Sequence, residues 1–463
     1  MKKRKRRRKQ RVLTNYNLSV SKVSYLKGEI TAPPSKSYTH RAIIIGSMNG
    51  GTRIVNPLFS DDTEATIKAW RSLGATIRRY ADHLDIIGFN RKPSIHRGSI
   101  NVNESGTLLR FILTVIPCGN GKFTITGNGT LKNRPNTALV EALKSMGVEI
   151  SGTTNDHKLP ITITARGELS GGNIEVNGKM SSQAISSLLI GASLAKNDTV
   201  ITVKNTLVSK PYVDITIDVL NWAGVKVEND NYQTFRIKAG QNICSKPEFI
   251  VHGDYSSAAF IIVACCLIKS NVVIKDLIID KQGDRKIIDI LNTMGASIEH
   301  MENEVRIKGP YKLKGIEIDC CDIPDLVPIL VVLGAFAEGT TRIYNISHLV
   351  HKESNRVYST ADELMRIGGN IQITNNEIKI IKSKLSAEEM LSAHDDHRVA
   401  MALSVSGMKI GGLTIENGSC ITKSYPNFVS DMRRLGAKIS RISPGRKRFC
   451  FQKNKRAMGI GPT

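Results

Sequence analysis

Six times along the 463 residues, an apolar residue is followed four positions later by glycine and three positions after that by Ile or Val. The sets are Trp70/Gly74/Ile77, Leu143/Gly147/Ile150, Leu220/Gly224/Val227, Leu291/Gly295/Ile298, Leu364/Gly368/Ile371 and Met432/Gly436/Ile439. Their glycines are 73, 77, 71, 73 and 68 residues apart. Glycine just past a helix takes the left-handed conformation that closes it without a Cβ clash. Each glycine therefore ends a helical segment, such as 137–146, and leads into an alternating one, such as 148–151. The chain reads as six α/β units of about 70 residues, three before residue 250 and three after it. The economical fold is α/β, with two similar domains of three repeated units and a cleft between them, where ligands commonly bind.

Apolar residues at 41% and charged residues at 23% suffice for a buried core and argue against a disordered chain. The longest apolar runs, 258–268 and 326–337, fall short of the ~20 residues of a membrane-spanning helix. No membrane partner is expected, and no apolar stretch follows Arg11 to make a secretory signal. The net charge of +24 is concentrated at the ends: residues 1–11 hold nine Lys/Arg and residues 441–463 hold seven, with no Asp or Glu in either. Segments 1–16 and 443–463 are thus expected to be disordered basic tails. A nucleic-acid-binding protein is the reading these tails suggest. Aromatics at only 5% and the lack of a recognised binding motif argue against obligate nucleic acid. Eight cysteines without a Cys-x-x-Cys pair read as reduced thiols of a cytoplasmic protein.

Several segments gather anion-binding groups. Pro33-Pro34-Ser35-Lys36-Ser37-Tyr38-Thr39-His40-Arg41 reads as a loop entering a helix, with Ser37 and Arg41 on one face. Hydroxyl, ammonium, guanidinium and free backbone N–H groups there suit a phosphate or carboxylate. Gly106, Thr107 and Arg110 form a similar helix start, as do Ser181, Ser182 and Gln183. Pro135 fits a first helical position, which puts Arg134 at the helix mouth. Asp325 adjoins the apolar run 326–333, where a carboxylate can act as a base or simply cap the helix. Glu353 and Arg356 are three apart and can pair. Asp395-Asp396-His397 are consecutive, without ligand spacing, so no metal site is expected. No phosphate-loop, nucleophile-elbow or dinucleotide signature occurs.

Taken together and in order, these stretches resemble the enolpyruvyl transferase family, in particular its branch acting on shikimate 3-phosphate. The resembling stretches are PSKSYTHR, ESGTLLR, LKNRP, SSQ, LVSKPY, HGDYSSA, QGD, IPD, KESNR, HDDHRVAM and TKSYP, from about residue 34 to 426. The resemblance implies two domains, each with parallel helices inside and sheets outside, an inside-out barrel of three units. It also implies two crossings, near 31–33 and 249–253. Domain I would comprise 17–32 plus 250–442, and domain II 33–249.

The implied reaction transfers the enolpyruvyl group of phosphoenolpyruvate (PEP) to the 5-hydroxyl of shikimate 3-phosphate. It releases phosphate through a tetrahedral intermediate and is a step of the shikimate pathway to chorismate. No metal or organic cofactor is implied, and the family expectation is a monomer. Shikimate 3-phosphate would meet Lys36, Ser37, Arg41, Ser181, Ser182, Gln183, Ser209, Tyr212, Asp325 and Lys352. PEP would meet Lys36, Gly106, Arg134, Gln183, Arg356, Arg398 and Lys423, with arginines suited to bidentate contacts. Asp325 would be the base and Glu353 the acid, aided by Lys36, His397 and Lys423.

The chain departs from the family pattern at Glu104 and Asp395, where Asn is usual, at His348, often an Asn, and at Phe111, often Pro or Leu. A related enzyme transfers enolpyruvate to UDP-N-acetylglucosamine. It normally carries a reactive Cys in the loop corresponding to 127–133, which holds none here.

Overall fold

The computed structural model describes residues 15–94, 98–179, 181–244, 246–387 and 389–445. The expected tails fall outside these residues except at 15–16 and 443–445.

Twelve α-helices occur among the described residues. They are α1 (Lys36–Gly46), α2 (Asp61–Ser72), α3 (Gly106–Val115), α4 (Thr137–Ser145), α5 (Ser182–Ala192) and α6 (Lys210–Trp222). The others are α7 (Tyr255–Leu267), α8 (Lys286–Thr293), α9 (Val327–Phe336), α10 (Ser359–Arg366), α11 (His397–Ile410) and α12 (Phe428–Arg434). All six repeat glycines stand two residues beyond an even-numbered helix with φ between +81° and +107°. That backbone region strains any residue with a Cβ, so the sequence spacing reports helix ends directly.

Each glycine leads into a strand of one of six four-stranded sheets, every one a parallel pair extended by an antiparallel hairpin or its equivalent. Three sheets draw their strands from one contiguous stretch; the other three borrow across the chain. Strand Asn17–Ser21 lies antiparallel between Leu413–Glu416 and Lys438–Ile442. Strand Leu26–Thr31 runs parallel to Ser270–Lys275, and Glu248–Ile250 parallel to Thr52–Val55.

Buried apolar residues form two clusters. One joins Tyr16–Ala32 to Tyr255–Ile439, and the other spans Tyr38–Val251. The odd-numbered helices are the inner ones: every residue of α7 is buried, as is α9 up to Ala335. Such helices need small residues where they approach neighbours. A Cβ on Gly191 of α5 would lie 2.8 Å from Thr114 Cβ of α3. Between the clusters the chain passes twice at one place. Ser35 N–H donates to His252 O at 2.8 Å, and Asp254 N–H to Pro33 O at 2.8 Å. No helix among the described residues is long and apolar enough to cross a membrane.

Candidate active site

The inner helices start at the cleft. The N-termini of α1, α3, α5 and α11 open onto one cavity of about 380 Å³ between the two clusters. Unpaired backbone N–H groups and the helix dipoles favour anions there. Seven Lys/Arg side chains line the cavity (Lys36, Arg41, Arg110, Arg134, Lys352, Arg356 and Arg398) against three carboxylates, Asp62, Asp325 and Glu353.

Local capping brings these groups to the cavity. Ser35 caps α1, Ser105 caps α3 and Ser181 caps α5 with its hydroxyl accepting from Gln183 N–H. Asp396 caps α11, accepting from Arg398 N–H at 2.9 Å. Asp325 is not a cap, since Leu326 holds that position in α9. Its carboxylate is therefore free for the cleft. Pro135 does not open a helix either. Arg134 is extended, Asn136 is the cap residue, and α4 starts at Thr137. The Asn136 amide holds this turn by donating to Arg134 O and His157 O.

Arg356 is the centre of the ion-pair network. Only 1% of its side chain is exposed. Nη1 is 2.6 Å from Asp325 Oδ1, Nη2 2.7 Å from Glu353 Oε2, and Nε 2.7 Å from Asp396 Oδ2. Arg398 Nη2 reaches Asp325 Oδ2 at 2.6 Å, where the Tyr212 hydroxyl also donates, at 2.8 Å. Arg134 Nη1 lies 3.5 Å from Glu353 Oε1. Burial alone would raise both carboxyls, but Arg398, Arg356 and Lys352 hold Asp325 far below the usual range. Arg356 and Arg134 do the same to Glu353.

On the opposite wall, Arg41 donates to Thr216 Oγ1, Ser37 O and Tyr212 O. Arg110 donates to Gly106 O and Gln183 Oε1. Burial brings both guanidinium groups down to about 10, which leaves them charged at neutral pH. Burial also lowers Lys352 and, with Lys36 and Arg398, lowers His397. Both ring nitrogens of His397, Nε of Arg134 and Nε of Arg398 are buried with no hydrogen-bond partner among the described residues. Buried polar groups without partners are costly, and a site built to receive polar ligands supplies those partners.

Of the residues singled out in the sequence, Lys36, Ser37, Gly106, Arg134, Ser181, Ser182, Gln183, Ser209 and Tyr212 line this cavity. So do Arg41, Asp325, Lys352, Glu353, Arg356, His397 and Arg398. Lys423 does not; its Nζ is held by Glu104 Oε2 at 2.8 Å. Asp62 was missed. It pairs with Lys36 at 3.1 Å, and only its place in the acidic first turn of α2 marked it. Asn136 also lines the cavity without a sequence signal, and His351 does so with no more signal than its place in the ionisable run 351–356.

The architecture is that of the enolpyruvyl transferases. The enolpyruvyl transferase NikO from Streptomyces tendae has a similar fold, with TM-score 0.74 and 18% identity over 92% of this chain and 99% of that one. EPSP synthase from Acinetobacter baumannii is similar at TM-score 0.78 and 26% identity, covering 92% and 100%. The family model for EPSP synthase (3-phosphoshikimate 1-carboxyvinyltransferase) matches residues 20–432, and the chain belongs to that family. It is an enzyme, a carboxyvinyl transferase. Among curated relatives named 3-phosphoshikimate 1-carboxyvinyltransferase, that of Methanosarcina mazei is 40% identical over 92% of this chain and 99% of its own. That of Methanococcus vannielii is 41% identical over 92% and 100%.

Proposed function

We propose that the enzyme transfers the enolpyruvyl group of PEP to the 5-hydroxyl of shikimate 3-phosphate and releases inorganic phosphate. The observation that carries this reading is the sharing of Arg356 between Asp325 and Glu353 in a cavity with more than two cations per carboxylate. Both substrates are multiply charged anions, and such a cavity attracts them.

Shikimate 3-phosphate is assigned to Lys36, Ser37, Arg41, Ser181, Ser182, Gln183, Ser209, Tyr212, Asp325 and Lys352. PEP is assigned to Lys36, Gly106, Arg134, Gln183, Arg356, Arg398 and Lys423. Addition needs a proton on the PEP methylene, from Glu353, and removal of the hydroxyl proton, by Asp325. The hydroxyl oxygen bonds to C2 of PEP. Elimination then returns a methyl proton to Glu353 and breaks the C2–O bond to phosphate, with Lys36, His397 and Lys423 supporting proton transfer or the leaving group. Substrate contacts bring two strongly ionised carboxylates into the reaction. Arginines that meet the PEP carboxylate and phosphate are drawn from Asp325 and Glu353, so both gain proton affinity as substrate binds.

The domain boundaries proposed are 17–32 plus 250–442 and 33–249; the two buried clusters, Tyr16–Ala32 with Tyr255–Ile439 and Tyr38–Val251, support that division to within two residues. A cytoplasmic monomer is the accompanying proposal, in keeping with seven free cysteines among the described residues. The test supplies PEP with either shikimate 3-phosphate or UDP-N-acetylglucosamine and follows phosphate release and product mass. Release with shikimate 3-phosphate alone, lost by about 10²–10⁴-fold in Glu353→Gln, is expected. Release with the UDP-sugar alone overturns the acceptor, and no release with either overturns the reaction.

A further inference from the structure

Glu104 takes no part in the mechanism above, yet it holds the residue of the sequence-derived site that stands off the cavity wall. It precedes Ser105, the cap of α3, in the part of the chain built around residues 38–251. Lys423 ends the 3-10 turn Gly418–Lys423, whose Cys420 and Ile421 belong to the other buried cluster. The 2.8 Å pair between them therefore crosses the cleft, and Lys423 Nζ also donates to Asp395 O at 2.9 Å. The side chains are 28% and 13% exposed, so neither is a free surface charge.

The carboxylate is seated in a made place. Gly129 has φ +52°, and a Cβ there would lie 2.5 Å from Glu104 Cδ and Oε2. A side chain at position 129 would push the Glu104 carboxylate out of this position. Asn128 fixes the same loop by donating its N–H to Asn103 O at 2.7 Å and its amide to Asn103 Oδ1 at 3.1 Å. The seat adjoins the first turn of α3, whose Gly106 and Thr107 line the cavity. A helix start of this kind draws anions, and here a side chain of the enzyme is the anion beside it.

We propose that Glu104 is an internal competitor for the substrate phosphate: its carboxylate holds Lys423 until an incoming phosphate displaces it, and so sets the affinity for PEP. The inference rests on the assignment of Lys423 to PEP and deepens it. Glu104 is an affinity-determining residue that acts through Lys423; no bond is made or broken in the exchange. Binding PEP requires the existing pair to break and the phosphate to approach a fixed negative charge. Glu104→Gln keeps the shape and removes both penalties.

The test compares wild type, Glu104→Gln and Glu104→Asp for KM of each substrate, for kcat and for inhibition by inorganic phosphate. In Glu104→Gln, KM for PEP and the inhibition constant for phosphate fall about five- to tenfold, while KM for shikimate 3-phosphate is unchanged. Glu104→Asp keeps the charge and stays near wild type. An unchanged or higher KM for PEP in Glu104→Gln, an equal change in both KM values, or Glu104→Asp behaving as Glu104→Gln overturns the proposal. Thermal stabilisation by inorganic phosphate alone gives a reading independent of turnover. A larger shift in Glu104→Gln than in wild type supports the exchange even if the assigned acceptor proves wrong, and equal shifts refute it. Glu104→Ala is the second neutral variant if the glutamine protein does not fold.

Discussion

Replacing Asp396 by alanine removes a carboxylate that is fully buried and makes four hydrogen bonds. It accepts from Arg356 Nε at 2.7 Å and Nη2 at 3.2 Å, from Ser354 Oγ at 3.2 Å and from Arg398 N–H at 2.9 Å. The last is the N-cap of α11, and losing a cap costs about 1 kcal/mol. Breaking a buried ion pair by removing one partner costs about 3–5 kcal/mol, because the other charge is left in a poor solvent. Arg356 here keeps Asp325 and Glu353 as partners, which offsets part of that. The sum is about 3–4 kcal/mol. The control is Asp85→Ala, which breaks an exposed, solvent-screened pair with Arg53 at 2.8 Å and should cost far less. Both tryptophans, Trp70 and Trp222, sit in or against the cluster spanning 38–251. Urea unfolding is therefore followed by far-ultraviolet circular dichroism, which also sees the part containing α11. Asp396→Ala losing no more than Asp85→Ala would refute the argument that this network holds the cleft face of α11.

Two further outcomes follow from single residues. Gly295→Ala places a Cβ at φ +107° and 3.3 Å from Lys312 O, so it lowers stability by about 1–3 kcal/mol in the same urea assay; an unchanged midpoint would refute the strain. Burial, aided by Lys352, pushes the His348 imidazole down to about 4. The folded protein then holds it neutral while the unfolded chain protonates near 6.5, so stability is full above pH 6.5 and falls as pH drops toward 4. His348→Gln flattens that part of the stability–pH curve, and a variant curve parallel to wild type would contradict the shift.

Much of the fold is legible in the chain because helix closure is local. A glycine at each of six helix ends reports φ above zero from sequence alone, and the apolar runs at 258–268 and 326–337 announce the inner helices α7 and α9. Capping is equally local, so Ser35, Ser105 and Ser181 mark the helix starts that now face the cavity. Most of the candidate site is legible for the same reason: its cations and hydroxyls lie at those starts.

Tertiary structure alone decided which starts meet. Asp325 is flanked by an apolar run that suggests a cap or a base, and only the approach of Arg398, Arg356 and Lys352 from two other segments keeps it ionised. Asp62 reads as one acid among several at the start of α2 until Lys36 is found 3.1 Å away. Strand Asn17–Ser21 pairs with residues some 400 positions on, because its buried face is complementary to a sheet edge that exists only after the last unit forms. Local backbone preference is a property of a few consecutive residues, and a sequence states it openly. Charge pairing and strand partnership depend on distances through space, which only the packed chain sets.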